Sequence, residues 1–358
     1  MTRTTAPKLS SGSIVITGGA GFIGSNLADA LLHDGETITV LDNLSRDGVR
    51  ENLDWLRSRH GNSVRIVIAD IRDPAAIDPV LAEASAVFHL AAQTAVTTSL
   101  TDPVEDFDIN ARGTLNVLEA VRKAGRQAPV IFSSTNKVYG GLDDLRLFER
   151  DGRHTPADDL IRARGINEDR RLDFCTPYGC SKGVADQYVL DYQRSYGIPT
   201  AVLRMSCIYG PRQFGTEDQG WVAHFLIRAL RGEGVTIYGD GKQVRDILHV
   251  ADAVAAYRAT LASIAKVQGR AFNLGGGPRN AVSLNMVLAE IQQITGTPLK
   301  VRHEGWREGD QLYFVAETSR LKAELGWRPR MGWRDGLQDL ATWLSEREGR
   351  AAEQRVRA

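Results

Sequence analysis

The stretch Gly18-Gly19-Ala20-Gly21-Phe22-Ile23-Gly24 constrains what this chain can fold into more than any other. It follows Ser13-Ile14-Val15-Ile16-Thr17, a short β-branched run that reads as a buried parallel strand. It opens an apolar-periodic helix expected from Phe22 to Leu32. Glycines at 18, 21 and 24 have the spacing of a dinucleotide fingerprint. The first permits the tight turn, the second lets a pyrophosphate approach the backbone, and the third lets helix and strand pack closely. Such a loop alone is weak evidence, but here the next strand, Thr37–Leu41, ends in an acid, Asp42. A carboxylate there accepts hydrogen bonds from the adenosine ribose hydroxyls and repels a 2′-phosphate, which favours NAD over NADP. Arg46 is the nearby group that would accommodate that phosphate, and the competing reading of Asp42 is a turn cap.

The same alternation continues. Val64–Ile68 reads as the third strand, with Asp70 just beyond it, placed to meet the adenine amino group. Ala86–Leu90 is the fourth, followed by Ala91 and Ala92, small enough for the backbone to pass close under a cofactor. His89 reads as a packed strand histidine rather than a catalyst. Asn110 falls on a helix expected from Pro103 to about Ala124, facing the sheet and tying strand to helix through water. Pro129–Phe132 delivers Ser133–Thr135 at its carboxyl end, and Pro199–Arg204 is a sixth strand. The class this implies is α/β: a Rossmann-type doubly wound parallel sheet that binds ligands at the carboxyl ends of its strands.

Beyond Arg204 the alternation loosens, which implies a smaller, interleaved C-terminal substrate-binding lobe. The expected division is an NAD-binding domain over 12–205, rejoined by 242–273, and a lobe built from 206–241 and 274–345. The lobe is expected to hold helices Gln219–Leu230 and Ser283–Thr295 and strands Val235–Tyr238 and Leu299–Val301. Helix Val250–Leu261 and strand Ala271–Leu274 are expected to return to the first domain. Residues 141–171 are charged and weakly periodic, an insertion beside the site with short helices. The two ends, 1–11 and 347–358, read as weakly held.

Composition removes whole classes of function. Lysines plus arginines equal aspartates plus glutamates, 44 each, so no basic surface invites nucleic acid or an anionic membrane. No apolar run approaches membrane-spanning length, and the first residues contain no apolar secretory core. Cys175, Cys180 and Cys207 are odd in number and lack metal-ligand spacing, pointing to reduced thiols in a cytoplasmic protein without a metal site.

The chemistry points to Thr176-Pro177-Tyr178-Gly179-Cys180-Ser181-Lys182. Pro177 suits a first helical turn, and Tyr178 and Lys182 then share one helix face. A lysine held there favours the phenolate, and a phenol so tuned can take a sugar hydroxyl's proton while a nicotinamide takes the hydride. The Thr135 hydroxyl is the third member. The competing reading is a solvated helix face, and Tyr238 and Lys242 repeat the spacing around an evident turn, Gly239-Asp240-Gly241. Arg245 and Arg307, from distant segments, would suit a diphosphate if they converge. Otherwise each pairs with a neighbouring acid, Asp246 or Asp310.

Together these motifs, with Asp42–Arg46, Ser134–Gly140, Leu172–Phe174, Gly210–Phe214, Asp218–Val222 and Asp310-Gln311, resemble the extended short-chain dehydrogenase/reductases acting on nucleotide sugars. The likeness runs from about Ser13 to Trp343 and is strongest to the CDP-tyvelose (CDP-paratose) 2-epimerase subgroup. It implies bound NAD, held by Gly18, Gly21, Phe22, Ile23, Gly24, Asp42, Asn43, Asp70, Ile71, Leu90, Ala91, Ala92, Tyr178 and Lys182. It implies a CDP-hexose held by Asn136, Lys137, Val222, Ile237, Arg245, Arg307 and Asp310. Related dehydratases carry an acidic pair after the catalytic Ser/Thr. Asn136-Lys137 stands there, which disfavours elimination and leaves oxidation and re-reduction at C2 by Thr135, Tyr178 and Lys182. Lys137 would orient the sugar or pyrophosphate, or else pair with an acid of the insertion. The resemblance also implies a homodimer or homotetramer paired through the helices of Tyr178 and Pro103, with Val184, Tyr188, Val189 and Leu190 on the shared face. A 4-epimerase or 4-reductase of another nucleotide sugar, and an NAD-dependent sensor that keeps the fold, are the rival readings.

Overall fold

The computed structural model describes residues 12–357, with side chains from 12 to 348; the expectation for residues 1–11 lies outside the described residues. In chain order the strands are β1 Ser13–Thr17, β2 Ile38–Asp42, β3 Val64–Ile68, β4 Ala84–His89, β5 Val130–Thr135, β6 Leu147–Arg150, β7 Arg153–Pro156 and β8 Thr200–Met205. They continue as β9 Cys207–Tyr209, β10 Val235–Tyr238, β11 Val244–His249, β12 Arg270–Leu274, β13 Ala281–Ser283, β14 Val301–Glu304 and β15 Tyr313–Phe314.

Seven of these form one parallel sheet in the order β12-β8-β5-β4-β1-β2-β3. Its central strands are buried on both faces, as helices on both sides require: Ile14, Ile16, Phe88 and Ile131 pack one way, Val15, Val87, Val130 and Phe132 the other. The chain runs outward from β1 to β3, then crosses to β4 on the other side of β1. That reversal opens the crevice at the strands' carboxyl ends. The first helix, Phe22–His33, buries Leu27, Ala28, Leu31 and Leu32 against the sheet.

The helix expected over 103–124 is broken. A short helix Pro103–Phe107 passes into a π-helical turn, Asp108–Arg112, before Gly113–Ala124 resumes. The wide turn accompanies buried polar work: Asn110 donates to Asp106 and to Ser181.

In the smaller lobe, β11 pairs antiparallel with β13 and parallel with β15 and β9, while β10 and β14 form a separate parallel pair. Thus β11 lies outside the large sheet, and the chain returns to it with helix Val250–Ala262 and β12, later than position 242. Helices Trp221–Leu230, Leu284–Thr295 and Trp333–Arg357 enclose an apolar lobe core with Phe225, Ile237, Ile247 and Leu288. The strand expected at 299–301 begins at Val301. The insertion is chiefly a hairpin, β6 against β7, with one short helix, Asp159–Arg164, and it is pinned by His154 N donating to the Lys242 carbonyl at 3.0 Å. The C-terminal region expected to fray is helical to Arg357, and Arg347 grips Glu51 at 2.7 and 3.0 Å.

Candidate active site

One cavity of about 750 Å³ lies between the carboxyl edge of the sheet and the lobe. Its sheet side is made of backbone and small residues. Gly18 has φ +68°, and a Cβ there would sit 2.7 Å from the Ala91 nitrogen. A Cβ on Gly24 would fall 2.3 Å from the Gly18 carbonyl oxygen. No other residue type fits either place without moving backbone, so the cradle has the form a pyrophosphate needs. Gly21, Phe22, Ile23, Ile71, Leu90, Ala91 and Ala92 line the cavity beside them. Asp42 reaches the cavity and also caps: its carboxylate accepts from Ala20 N at 3.0 Å and Leu44 N at 2.8 Å. Burial pushes it above the usual carboxylate value, and those backbone donors pull it back. Asp70 lines the rim in the grip of Arg72 at 2.8 Å and Asn43 at 2.9 Å, which hold it at about 2. The residues present therefore fit a dinucleotide.

At the cavity floor stand Thr135, Tyr178 and Lys182, brought together by β5 and the helix Thr176–Tyr196. Pro177 sits in that helix's first turn, and Thr176 just before it is held at φ +65°, a strained position for a side chain. The hydroxyl of Thr135 donates to Asn136 Oδ1 at 3.4 Å and accepts from Lys137 N at 3.2 Å, and its nearness to Tyr178 favours the phenolate. Lys182 donates to the Ser133 carbonyl at 2.7 Å, lies 4.1 Å over the Phe132 ring, and is driven by burial down to about 7. Burial pushes the Tyr178 phenol up to about 12, against the Thr135 hydroxyl and the Arg46 charge. This corrects the expectation that Lys182 depresses Tyr178 in the protein alone: the ammonium is turned to a carbonyl, and Arg46 is the cation that favours the phenolate. One turn along, Asp186 takes a two-pronged bond from Arg204, both arms 2.9 Å, and one from Ser134 at 2.7 Å. That buried cluster seats the helix on β5 and β8. His89 is packed between Thr17 at 2.7 Å and Thr114 at 3.0 Å, and burial lowers it to about 3, so it is a neutral core residue.

The lobe wall is made of long side chains. Val222 lines the cavity; Ile237 does not, and is buried in the lobe core. The period of two on β10 turns its neighbours Thr236 and Tyr238 to the cavity instead. Arg245 bonds Asp310 at 2.6 Å. Arg307 reaches Glu217 at 3.3 Å and Asp218 at 3.6 Å, its guanidinium 3.8 Å over the Tyr238 ring. Both arginines line the same cavity, and neither takes the acid next to it in sequence. Asn136 donates to Gln311 at 2.8 Å and Lys137 to the Gly309 carbonyl at 2.8 Å, so Lys137 meets the lobe and not an acid of the insertion. Burial, with Arg245 nearby, lowers Lys137 to about 8.

Several lining residues were not anticipated: Gln93, Thr94, Glu217, Asp218 and Gln243. For Gln93 and Thr94 the signal was available, since they follow the carboxyl end of β4. Among the described residues no His/Cys/Asp/Glu group could hold a metal ion, and no helix is long and apolar enough to cross a membrane.

A doubly wound sheet with this glycine cradle, and a Thr–Tyr–Lys set facing a second lobe, define a nicotinamide-dinucleotide enzyme. The chain belongs to the NAD dependent epimerase/dehydratase family, whose sequence model matches residues 14–275, and NAD is its cofactor. It is 43% identical over 339 residues to a CDP-paratose 2-epimerase of Salmonella typhi, across 93% of this chain and 99% of that one. Among solved structures it is similar to the Thermotoga maritima UDP-glucose 4-epimerase with UDP-glucose, at TM-score 0.80 and 31% identity, covering 94% of this chain and 99% of that one. The UDP-glucose 4-epimerase of Thermus thermophilus, in complex with NAD, matches at TM-score 0.79 and 32% identity, covering 93% and 99%.

Proposed function

We propose that this protein is an NAD-dependent nucleotide-sugar 2-epimerase that interconverts CDP-paratose and CDP-tyvelose. The observation that carries this reading is the reacting end of the cavity. Thr135, Tyr178 and Lys182 meet there, and the two positions after Thr135 are Asn136 and Lys137, neither of them a carboxylate. Elimination of a hydroxyl needs an acid and a base at the sugar besides the hydride-transfer set, and neither position after Thr135 offers a carboxyl group for those roles, which disfavours it. The 43% identity to a CDP-paratose 2-epimerase supports the same substrate.

In this mechanism Tyr178 takes the proton of the C2 hydroxyl and later returns it. Thr135 hydrogen-bonds the same oxygen and holds it at the phenol. Lys182, which burial lowers to about 7 and Asp186 and Asp106 hold toward its charged form, lines the cavity with Tyr178, and Arg46 favours the phenolate. NAD, held by the glycine cradle, Asp42 and Asp70, supplies the hydride acceptor and donor when bound. Arg245 and Arg307 take the diphosphate, exchanging their carboxylate partners for phosphate oxygens. The 2-keto sugar turns within the cavity so that the opposite face of C2 is reduced.

The test is proton NMR of CDP-paratose carrying deuterium at C2. Label retained at C2 of the tyvelose product, with a primary isotope effect on turnover, is expected; label lost to water overturns the reading. A 4-epimerase of another nucleotide sugar is the second reading, favoured by the UDP-glucose 4-epimerases of the same fold, and it places both effects at C4. We also infer pairing with a second copy through the helices of Tyr178 and Pro103. Val104 is 69% exposed, Phe107 46% and Tyr188 44%, while Val189 is buried within the subunit and does not belong to that face. Sedimentation giving monomer alone at micromolar concentration contradicts the pairing. The three free thiols fit a reducing, cytoplasmic setting.

A further inference from the structure

Against the catalytic helix lies a buried carboxylate that the reaction above does not use. Asp106 is 1% exposed, on the short helix that precedes the π-helical turn. One of its oxygens accepts from Gln93 Nε2 at 2.9 Å and Asn110 Nδ2 at 3.1 Å, and the other from the Ser181 hydroxyl. Asn110 Nδ2 also donates to Ser181 at 3.1 Å, and Gln93 N donates to Asn110 Oδ1 at 2.9 Å. Gln93 is on the loop after β4 and lines the cavity; Ser181 lies between Tyr178 and Lys182 on the catalytic helix. Burial pushes Asp106 above the usual carboxylate value, and the Ser181 and Gln93 bonds and the Lys182 charge pull it back. Gln93 and Asn110 can only donate to it and Ser181 is placed to do so, which favours the ionised carboxylate. Such a charge, away from water, acts strongly on whatever charge is near.

We propose that Asp106 is a positioning residue for the Tyr178–Lys182 pair, clamping the catalytic helix to the loop of Gln93 and supplying a fixed negative charge behind the pair. The proposal rests on the epimerase reading for the roles of the pair, though the clamp itself does not depend on which sugar is bound. The charge acts in a definite direction. Asp106 and Asp186 both hold Lys182 toward its charged form, against burial, and Asp106 holds Tyr178 toward its neutral form. The other groups facing the pair are Arg46, which opposes Asp106 at Tyr178, and the neutral His89, beside Lys182. Cys180 also feels the Asp106 charge.

The substitution Asp106→Asn isolates charge from shape. Its amide oxygen can still accept from Gln93 and Asn110. Its NH₂ can donate to Ser181, which then donates to the Tyr178 carbonyl it already meets at 3.2 Å. All partners stay satisfied, so folding should persist, which thermal melting of the NAD-loaded chain checks; Asp106→Ser is the substitute if the asparagine chain does not accumulate. The expected result is that the whole pH profile of kcat moves to lower pH by about one unit. In the same variant the midpoint for acetylation of Lys182 by acetic anhydride, read by mass spectrometry, moves down with it. This second readout needs no substrate, so a wild-type chain inactive on CDP-paratose would count against the epimerase reading alone. Ser181→Ala keeps the charge and loosens the clamp; it should lower kcat about tenfold or less and leave the profile where it is. A uniform loss of kcat in Asp106→Asn, with profile and acetylation midpoint unmoved, overturns the proposal. So does an equal acid shift in Ser181→Ala, since helix position would then account for the effect.

Discussion

The two walls of the cavity are built on opposite plans. The sheet wall is backbone and small residues packed against a two-sided core, and it leaves room by having no side chains at Gly18, Gly21 and Gly24. The lobe wall sets long charged side chains among apolar ones such as Trp221 and Val222; Arg245 and Arg307 reach it already partnered by Asp310 and Glu217, and Lys137 crosses from the end of β5 to the Gly309 carbonyl. The first wall is shaped by exclusion and cannot yield; the second is held by exchangeable pairs. A shared cofactor suits the rigid wall, whereas specificity for a sugar nucleotide can be changed by re-pairing the other.

Substitutions on each wall sharpen or break that contrast. The largest effect is expected where the walls meet: Tyr178→Phe keeps the ring and removes the proposed acid–base group. It should cut kcat by about 10²–10⁴ while the purified chain keeps its NAD, measured by turnover and by chromatography of released nucleotide. Next comes the rigid wall. Gly24→Ala drives a Cβ to 2.3 Å from a carbonyl oxygen and should destabilise the fold by about 1–3 kcal/mol, with loss of bound NAD. Calorimetric melting reads it, and an alanine chain that melts like wild type would show that this wall yields after all.

On the lobe wall the two arginines should differ. Arg245 is 7% exposed and its loss strands Asp310, so Arg245→Met should cost about 1–3 kcal/mol in denaturant unfolding. Arg307 is 26% exposed, on a screened rim, and Arg307→Met should cost about 0–1 kcal/mol while still raising KM. Equal destabilisation would remove the distinction between them.

The smallest effect concerns charge. Lys137 is lowered to about 8, so it is protonated below that pH and neutral above it. KM for the CDP-sugar should rise about threefold as pH passes 8, and Lys137→Met should show the higher KM at every pH. A wild-type KM flat from pH 7 to 9 would place Lys137 outside the binding surface.

Much of the sheet wall is legible in the sequence, because its signals are local. A glycine triplet, an acid at a strand end and a tyrosine four residues before a lysine each sit within one turn or one strand, where backbone geometry alone dictates the spacing. The doubly wound parallel sheet followed from alternation, and β12 joined it as expected, whereas the order of its strands came from the structure. The π-helical turn at Asp108–Arg112 was not readable, since it coincides with contacts to Ser181 and Gln93 from distant segments. Nor was the facing of Ile237, for which the register of a four-residue strand had to be known.

The sequence by itself therefore determined the family and the glycine cradle and pointed to Thr135, Tyr178 and Lys182, all of them short-range patterns. Only the tertiary structure decided which acid each arginine takes, that Lys182 turns to the Ser133 carbonyl, and that burial lifts Tyr178 to about 12. The reason is physical. A charge's partner and its desolvation depend on distances through space, and residues as far apart in sequence as Arg245 and Asp310 become neighbours only when β11 and β15 pair within the lobe.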